Sequence, residues 1–581
     1  MPATLTNHDI AEVFAKIALS LEVAGESRYR FQAYQRAADS IGELPAALAT
    51  YRERGELEAI PNIGKTLADK IIELLDTGQL QFYEKLKQQV PPGVLDLMKV
   101  PSIGPRTAGK LYKELGIDSL AALKQAADTG KLAGVKGFGA KTIAGISAGI
   151  TAAEQADTRV LMGEALAMAE QLLAALREAV PLREAAYAGS LRRGRETTGD
   201  LDILAAAEDT ASVVRAFTAL PMIAYVDSSG DAKATAYLHS GMQVDLYAVD
   251  PAVWGAALHH FTGSRAHNIR FRELALAQGM SFSEHGFKRL ESGETVPCAT
   301  EQQVYATVGL PWIAPELRED AGEFEAAQAG ALPRLVELAD IRADLHMHST
   351  WSDGKHSIRA MAEAAMARGY SHMAITDHSA YLGIVNGLDA ARLKAQAEEI
   401  RALNAELGGF RILRGVEVDI TPDGGLALPD EVLAELDIVV ASPHVQLRQP
   451  AEQATERILK AIRNPHVDII GHPTGRLIGG RAGAELDIDA VARAAAETNT
   501  LLEVNSGPDR LDLSAAHARR ALELGALLVT DSDAHHTDNL AWIRLGVVTA
   551  RRGWAAADQL ANTWDLPRLL AWLAAPKPER R

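Results

Sequence analysis

Residues 189–204 read GSLRRGRETTGDLDIL. Gly189 and Ser190 make a small-residue turn in which backbone N–H groups can approach phosphate oxygens. Arg192, Arg193 and Arg195 load the same loop with positive charge. Asp200-Leu201-Asp202 then falls in an apolar run of strand character, and residues i and i+2 of a strand share one face. Two carboxylates side by side repel unless a cation lies between them, and hard oxygen ligands suit Mg²⁺. A phosphate-holding turn followed by such a pair is what metal-assisted phosphoryl transfer from a nucleotide needs. A bare D-x-D is weak, because charged hairpins carry it routinely. The Gly-Ser turn, the arginines and Gly199 before the pair give the stretch its specificity.

The surrounding chain has 581 residues, too many for one core, so several domains are expected. One cysteine, Cys298, excludes an intramolecular disulfide and fits a reducing compartment. No apolar run reaches membrane-spanning length and the first residues lack a signal-peptide pattern, so the expectation is a soluble, cytoplasmic protein with no membrane partner. The net charge of −17 excludes a uniformly basic nucleic-acid coat, so any DNA contact must be local. Eleven of the 17 histidines lie after residue 340, which marks the C-terminal part as chemically different.

Upstream, Ile10, Val13, Phe14, Ile17, Ala18 and Leu21 recur at helical spacing, and Arg28, Arg30, Tyr34 and Arg36 follow in a second helix. Ile60-Pro61-Asn62-Ile63-Gly64-Lys65 is an apolar–turn–apolar hairpin that opens a helix over 66–75 containing Lys70. Such a hairpin aims backbone N–H groups at a DNA phosphate without reading bases. The pattern returns at residues 100–106, with Gly104 and Arg106, and more loosely at 135–141. Lysines and arginines outnumber acids through 91–150, a basic stripe suited to sequence-independent backbone binding. Downstream, Gln243-Val244-Asp245-Leu246-Tyr247 alternates as a strand, with Asp245 opposite Val244 and Leu246.

Past a helix-prone connector at 321–331, strand-like runs alternate with helical ones at 373–376, 411–418, 438–442, 467–471, 501–505 and 527–530. That alternation argues for a parallel barrel, whose chemistry lies at strand C-termini. The run ends and the loops after them carry His346, His348, Asp353, His378, Glu417, His444, His472, Asp533 and His535. Imidazole mixed with carboxylate suits Mn²⁺, Zn²⁺ or Fe²⁺, and nine ligands are more than one ion needs. Two or three ions can bind a phosphate, generate hydroxide near neutral pH and offset leaving-group charge. His356, His372, His466, His517 and His536 fall outside the pattern and read as ordinary histidines.

Gly189–Asp202 resembles the nucleotidyltransferase palm of X-family DNA polymerases, the DNA polymerase beta family, and the nine-residue set resembles the PHP (polymerase and histidinol phosphatase) domain. The resemblance, to the bacterial branch of that family, covers nearly the whole chain. It implies a multidomain fold: α-helical helix-hairpin-helix domains, an α+β palm and thumb, and a C-terminal α/β PHP domain, a distorted TIM-like barrel. The implied boundaries are 1–85 for a small lyase-like domain, 86–155 for fingers, 156–258 for palm, 259–320 for thumb, 321–340 for a linker and 341–581 for PHP.

The same resemblance implies roles. Asp200, Asp202 and Asp245 are the catalytic, Mg²⁺-binding carboxylates. Gly189, Ser190, Arg193 and Gly199 hold the triphosphate of a dNTP, while His260, Phe261 and Gly263 belong to the turn beneath its sugar and base and Asn268 reaches the nucleotide. His260 stands where vertebrate members have tyrosine. Lys70 falls at the Schiff-base lysine, with Arg30, Tyr34 and Lys65 around a 5′-phosphate, and Gly64, Gly104 and Arg106 on the DNA backbone. The nine barrel residues hold two or three Mn²⁺ or Zn²⁺ ions. The expected function is gap filling on gapped or primed duplex DNA in base-excision repair, by a monomer. A PHP 3′–5′ exonuclease accompanies it, with abasic-site endonuclease, 3′-phosphatase or 5′-deoxyribose-phosphate lyase activity besides. Two other readings are a polymerase fused to a small-molecule phosphatase, and a DNA-end scaffold with a weak palm. Histidinol phosphate tested against a 3′-mismatched primer separates the first, and the intact Asp200, Asp202 and Asp245 argue against the second.

Overall fold

The computed structural model describes residues 7–42, 48–100, 103–134, 143, 146, 149–150, 159–381 and 385–580. The loose third hairpin at 135–141, and Pro101 and Ser102 of the second, lie outside the described residues. The chain divides into two compact units, one of Met1–Arg159, Ala175–Arg183 and Gly199–Val249, the other of Val160–Ala174, Glu184–Thr198 and Asp250–Arg581. Among the described residues no helix is long and apolar enough to cross a membrane.

In the first unit the helix Asn7–Ala24 buries Ile10, Phe14, Ile17, Ala18 and Leu21 as a single stripe. It shares a core with Arg28–Gly42, Lys65–Thr77 and Gln81–Gln89. A second core gathers Val94, Leu97, Val100, Ile103, Ala108 and Leu111 around the helix Pro105–Leu115. The same backbone bond recurs at both positions: Ile63 N–H donates to Ile60 O and Ile103 N–H to Val100 O, both at 3.1 Å. Each apolar pair is buried, which leaves Gly64 and Gly104 as extended N-caps of the helices that follow. The same unit holds a sheet ordered Asp200–Ala206, Gln243–Val249, Lys233–Leu238, Ile223–Ser229, with the first pair parallel and the others antiparallel.

In the second unit the helices Trp254–Thr262 and Arg265–Ala277 pack with the antiparallel strands Met280–Ser283, Gly286–Arg289 and Thr295–Val296 around Phe271, Phe282, Phe287 and Tyr305. The connector forms the helix Glu323–Gln328, and its Phe324 and Ala327 lie in that same core rather than in solvent.

Seven parallel strands follow in sequential order: Ala343–Asp344, His372–Ile375, Arg411–Asp419, Ile438–Ser442, Ile469–Ile470, Leu501–Asn505 and Leu528–Asp531. Most of their residues are buried, which is why they read as unbroken apolar runs. The sheet closes on itself where Asp533 N–H donates to His346 O at 3.0 Å and His348 N–H to Ala534 O at 2.9 Å. The run expected over 467–471 shortens to Ile469–Ile470, because pairing with the neighbouring strands stops there.

Candidate functional site

The palm carboxylates are set by strand register. Asp202 lies directly opposite Asp245 in the parallel pair, and Asp200 opposite Gln243. Leu201, Ile203, Val244 and Leu246 fill the buried face, so the three acids share the other. Asp245 accepts from Thr235 Oγ1 and from Gln243 Nε2, the latter at 2.9 Å. Partial desolvation, then the negative charge of Asp245, raises the Asp200 carboxyl above its ordinary value, with Arg159 opposing. A like charge so close disfavours the ionised form of Asp200.

The Gly-Ser turn is one turn of helix, Gly189–Arg192, entered with Gly189 at φ +58°. Ser190 Oγ lies 2.6 Å from Thr198 Oγ1, which ties the two ends of the turn together. Arg192 makes a two-armed pair with Glu301 at 2.8 Å and donates to Thr262 Oγ1 at 2.6 Å. Arg193, expected at the triphosphate, donates to Thr262 O at 2.6 Å and to Glu319 at 3.2 Å. His260 and Phe261 end a helix at Gly263, φ +67°, their rings edge to face at 5.0 Å. Asn268 Nδ2 donates to His260 O at 2.7 Å. Burial lowers the His260 pKa, opposed by Glu284.

In the barrel all nine expected residues come together. Among the described residues three groups bring their ligand atoms within 4.8 Å of one another: His348, Asp353, His378 and His535; His346, His348 and Asp533; and His378, Glu417 and His444. His472 joins through Nε2, 3.0 Å from Glu417 Oε1. Glu417 is fully buried, with His346, His378, His444 and His472 within 3.5 Å, yet neither of its oxygens makes a hydrogen bond. A buried carboxylate ringed by imidazoles whose lone pairs go unused fits cations at its centre. Burial, then repulsion by His535 and His378, drives His348 down to about 3, which leaves a neutral ring. Burial opposes charge on His444, but Glu417 and Asp419 outweigh it and raise the ring to about 10.

Gly354 lets the loop carrying Asp353 reach the cluster. A Cβ on it would meet His348 backbone atoms at 2.8 Å. Asp377 fixes the same loop, accepting from Ser349 N–H at 2.8 Å, Ser349 Oγ at 2.6 Å and Gln396 Nε2 at 2.6 Å.

Several residues beneath the cluster were not singled out from sequence. Glu503 Oε1 lies 2.7 Å from His346 Nδ1, and Asp419 Oδ1 lies 2.8 Å from His444 Nδ1. Asn505 Nδ2 donates to Asp533 at 3.1 Å. Carboxylates at the far ring nitrogen fix tautomer and orientation. Asp419 had a signal, because it follows Glu417 at same-face spacing in a strand, and Asp377 directly precedes His378. Glu503 had none, since no histidine neighbours it in sequence.

At the N-terminal domain Phe82 is the common partner. Lys70 Nζ lies 4.5 Å from its ring centre, Arg30 5.8 Å, and the Tyr34 ring stacks on it at 5.8 Å. Tyr34 is only 7% exposed and packs as a core residue, while Arg30 also pairs with Glu26 at 2.9 Å. Lys65, Gly64, Gly104 and Arg106 are exposed at their helix starts.

Family models match at residues 5–80 (helix-hairpin-helix domain), 94–149 (SAM-like helix-hairpin-helix tandem), 257–319 (DNA polymerase beta thumb) and 344–507 (PHP domain). The class is therefore a DNA polymerase of the beta type joined to a PHP domain. The chain is 42% identical to the DNA polymerase/3′-5′ exonuclease PolX of Bacillus subtilis (strain 168) over 567 residues, covering 97% of this chain and 99% of that one. It belongs to the bacterial PolX family. DNA polymerase lambda of Rattus norvegicus is 25% identical over 348 residues, 55% of this chain and 57% of that one. A probable phosphatase of Thermoanaerobacter sp. (strain X514) is 30% identical over 246 residues, 40% of this chain and 95% of that one.

Proposed function

We propose that this chain fills short gaps in DNA from dNTPs and removes 3′ nucleotides with its barrel domain, as a monomeric cytoplasmic enzyme of base-excision repair. Asp200 and Asp202 hold Mg²⁺, and Asp245 completes the palm site beside the primer 3′-hydroxyl. Ser190, Arg193 and Gly199 hold the triphosphate. The helix starts at Gly64 and Gly104 take DNA phosphates. When bound, the palm ions supply charge neutralisation of the phosphoryl group and activation of the attacking hydroxyl.

In the barrel the nine residues hold Mn²⁺ or Zn²⁺, and such ions supply hydroxide and leaving-group stabilisation. Glu503 and Asp419 orient His346 and His444, and Asp377 steadies the loop of Asp353. The observation that carries the polymerase reading is the placement of Asp202 opposite Asp245 with Asp200 on the same face. The test is a gapped substrate with a mismatched 3′ end, given Mg²⁺ or Mn²⁺, with and without dNTP. Extension with dNTP and degradation without it are expected. Hydrolysis of histidinol phosphate in place of primer degradation would assign the barrel to small molecules.

A further inference from the structure

The nucleotide turn is anchored by the barrel domain. Arg476 donates through Nη1 and Nη2 to the two oxygens of Glu196, at 3.2 and 2.5 Å, and to the carbonyl of Leu511. Arg552 donates to the carbonyl of Arg193 and, at 3.1 Å, to Glu319. Gly194, at φ +65°, lies against the helix Ile543–Arg552, so that a Cβ there would sit 2.2 Å from Val548 Cγ1 and 3.3 Å from Arg552 Cδ. The Glu196 carbonyl accepts from Met162 N–H at 2.9 Å. Arg476 itself is rigidly held: Asp512 accepts from Thr474 N–H and Oγ1 at 3.0 Å and from Gly475 N–H at 2.8 Å, immediately before it.

We propose that Glu196 and Arg476 are positioning residues for nucleotidyl transfer, so that the barrel domain is a structural part of the polymerase site as well as a second active site. The proposal rests on the reading that Ser190, Arg193 and Gly199 hold the triphosphate. Glu196 stands between Arg193 and Gly199 in sequence, and its pairing to Arg476 fixes the span whose ends are tied by Ser190 and Thr198. A two-armed guanidinium–carboxylate pair sets direction as well as distance. Loosening it lets the turn drift, which weakens ground-state and transition-state contacts to the triphosphate alike and leaves the palm carboxylates untouched. The effect therefore falls on KM for dNTP rather than on kcat.

The experiment is gap filling by the full-length chain over a dNTP titration, for wild type, Glu196→Gln, Arg476→Gln, the double variant and Glu196→Asp. Thermal unfolding is followed on each, and Asp202→Ala serves as control. Each single charge-removing variant is expected to raise KM for dNTP by roughly three- to tenfold with kcat within about twofold, the scale for a partly exposed pair. The double variant should be no worse than the weaker single, because the pair acts as one unit. Glu196→Asp, which keeps the charge, should recover most of the affinity, and Glu196→Gln should keep its exonuclease rate. If Arg476→Gln fails to fold, the two Glu196 variants carry the test, since that side chain is 31% exposed. A wild-type KM in folded Glu196→Gln overturns the inference, and so does a fall in kcat with KM unchanged. Primer extension by Asp202→Ala would instead overturn the reading of the palm beneath it.

Discussion

The palm aspartates and the barrel cluster are assembled by opposite routes. Asp202 and Asp245 meet because two strands run parallel in register, and Asp200 joins them because alternate residues share a face. Local pairing is enough. The barrel residues run from His346 to Asp533 and His535, and they meet only because a seven-stranded sheet curls until its last strand returns to its first. The environments differ accordingly. His346, His348 and Glu417 are 0% exposed, and His346 Nε2, His348 Nδ1 and both Glu417 oxygens make no hydrogen bond. Asp245 instead has its oxygens engaged by Thr235 and Gln243. A closed barrel end collects a dense ligand set by itself. A strand pair offers only a few oxygens.

The sharpest test of this contrast is a reciprocal pair of knock-outs. Asp202→Ala should abolish nucleotide addition, a loss on the order of a thousandfold or more, and leave 3′ degradation. His346→Ala or Asp533→Ala should do the reverse and lower bound transition metal. Metal content, thermal unfolding and both activities measured on one His346→Ala preparation decide it. Unchanged exonuclease with a retained fold would remove the barrel from the chemistry. Joint loss of both activities would make the barrel a platform instead.

Lys70 is the opposite extreme, a single residue rather than a set. Lys70→Ala should eliminate any borohydride-trapped adduct with a 5′-deoxyribose phosphate end and leave gap filling within about twofold. An undiminished adduct would move the nucleophile, with Lys65 the next to test.

Glu503→Gln probes how far the barrel's order extends below its ligands. Losing the carboxylate at His346 Nδ1 should cost roughly 10- to 100-fold in exonuclease rate or metal affinity, with polymerisation unaffected. A metal titration followed by unfolding temperature reads this directly. Wild-type affinity would mean that backbone packing alone orients His346.

The smallest effect concerns a buried histidine with both nitrogens satisfied. His267 lies 2.7 Å from Glu323 through Nδ1 and 2.9 Å from Tyr305 Oη through Nε2. Burial, opposed by Glu323, holds its pKa at about 4, below the ordinary histidine value. The unfolded chain therefore takes up the proton first as pH falls. This contribution is complete above about pH 6.5 and is lost progressively toward pH 4. The unfolding midpoint should drop by a few degrees between pH 7 and pH 5, and less in His267→Gln. An identical slope in the variant would place the acid sensitivity elsewhere.

Much was legible before any coordinates. The apolar stripe of Asn7–Ala24 announced its helix, the alternation around 200, 202 and 245 announced two strands, and nine polar residues at strand ends announced the cluster at one end of the barrel. Those signals are periodic or local, so the backbone's own geometry displays them in one dimension. Sequence by itself thus determined the candidate residue types and which elements bear them. The tertiary structure alone decided their partners. It put Glu503 under His346 and Phe82 beside both Lys70 and Tyr34. It also laid the barrel's Arg476 on Glu196, 280 positions away in the chain. The Glu503 and Arg476 contacts depend on chain closure over long separations, and no local period or spacing encodes which distant side chain will fill the remaining hydrogen bond.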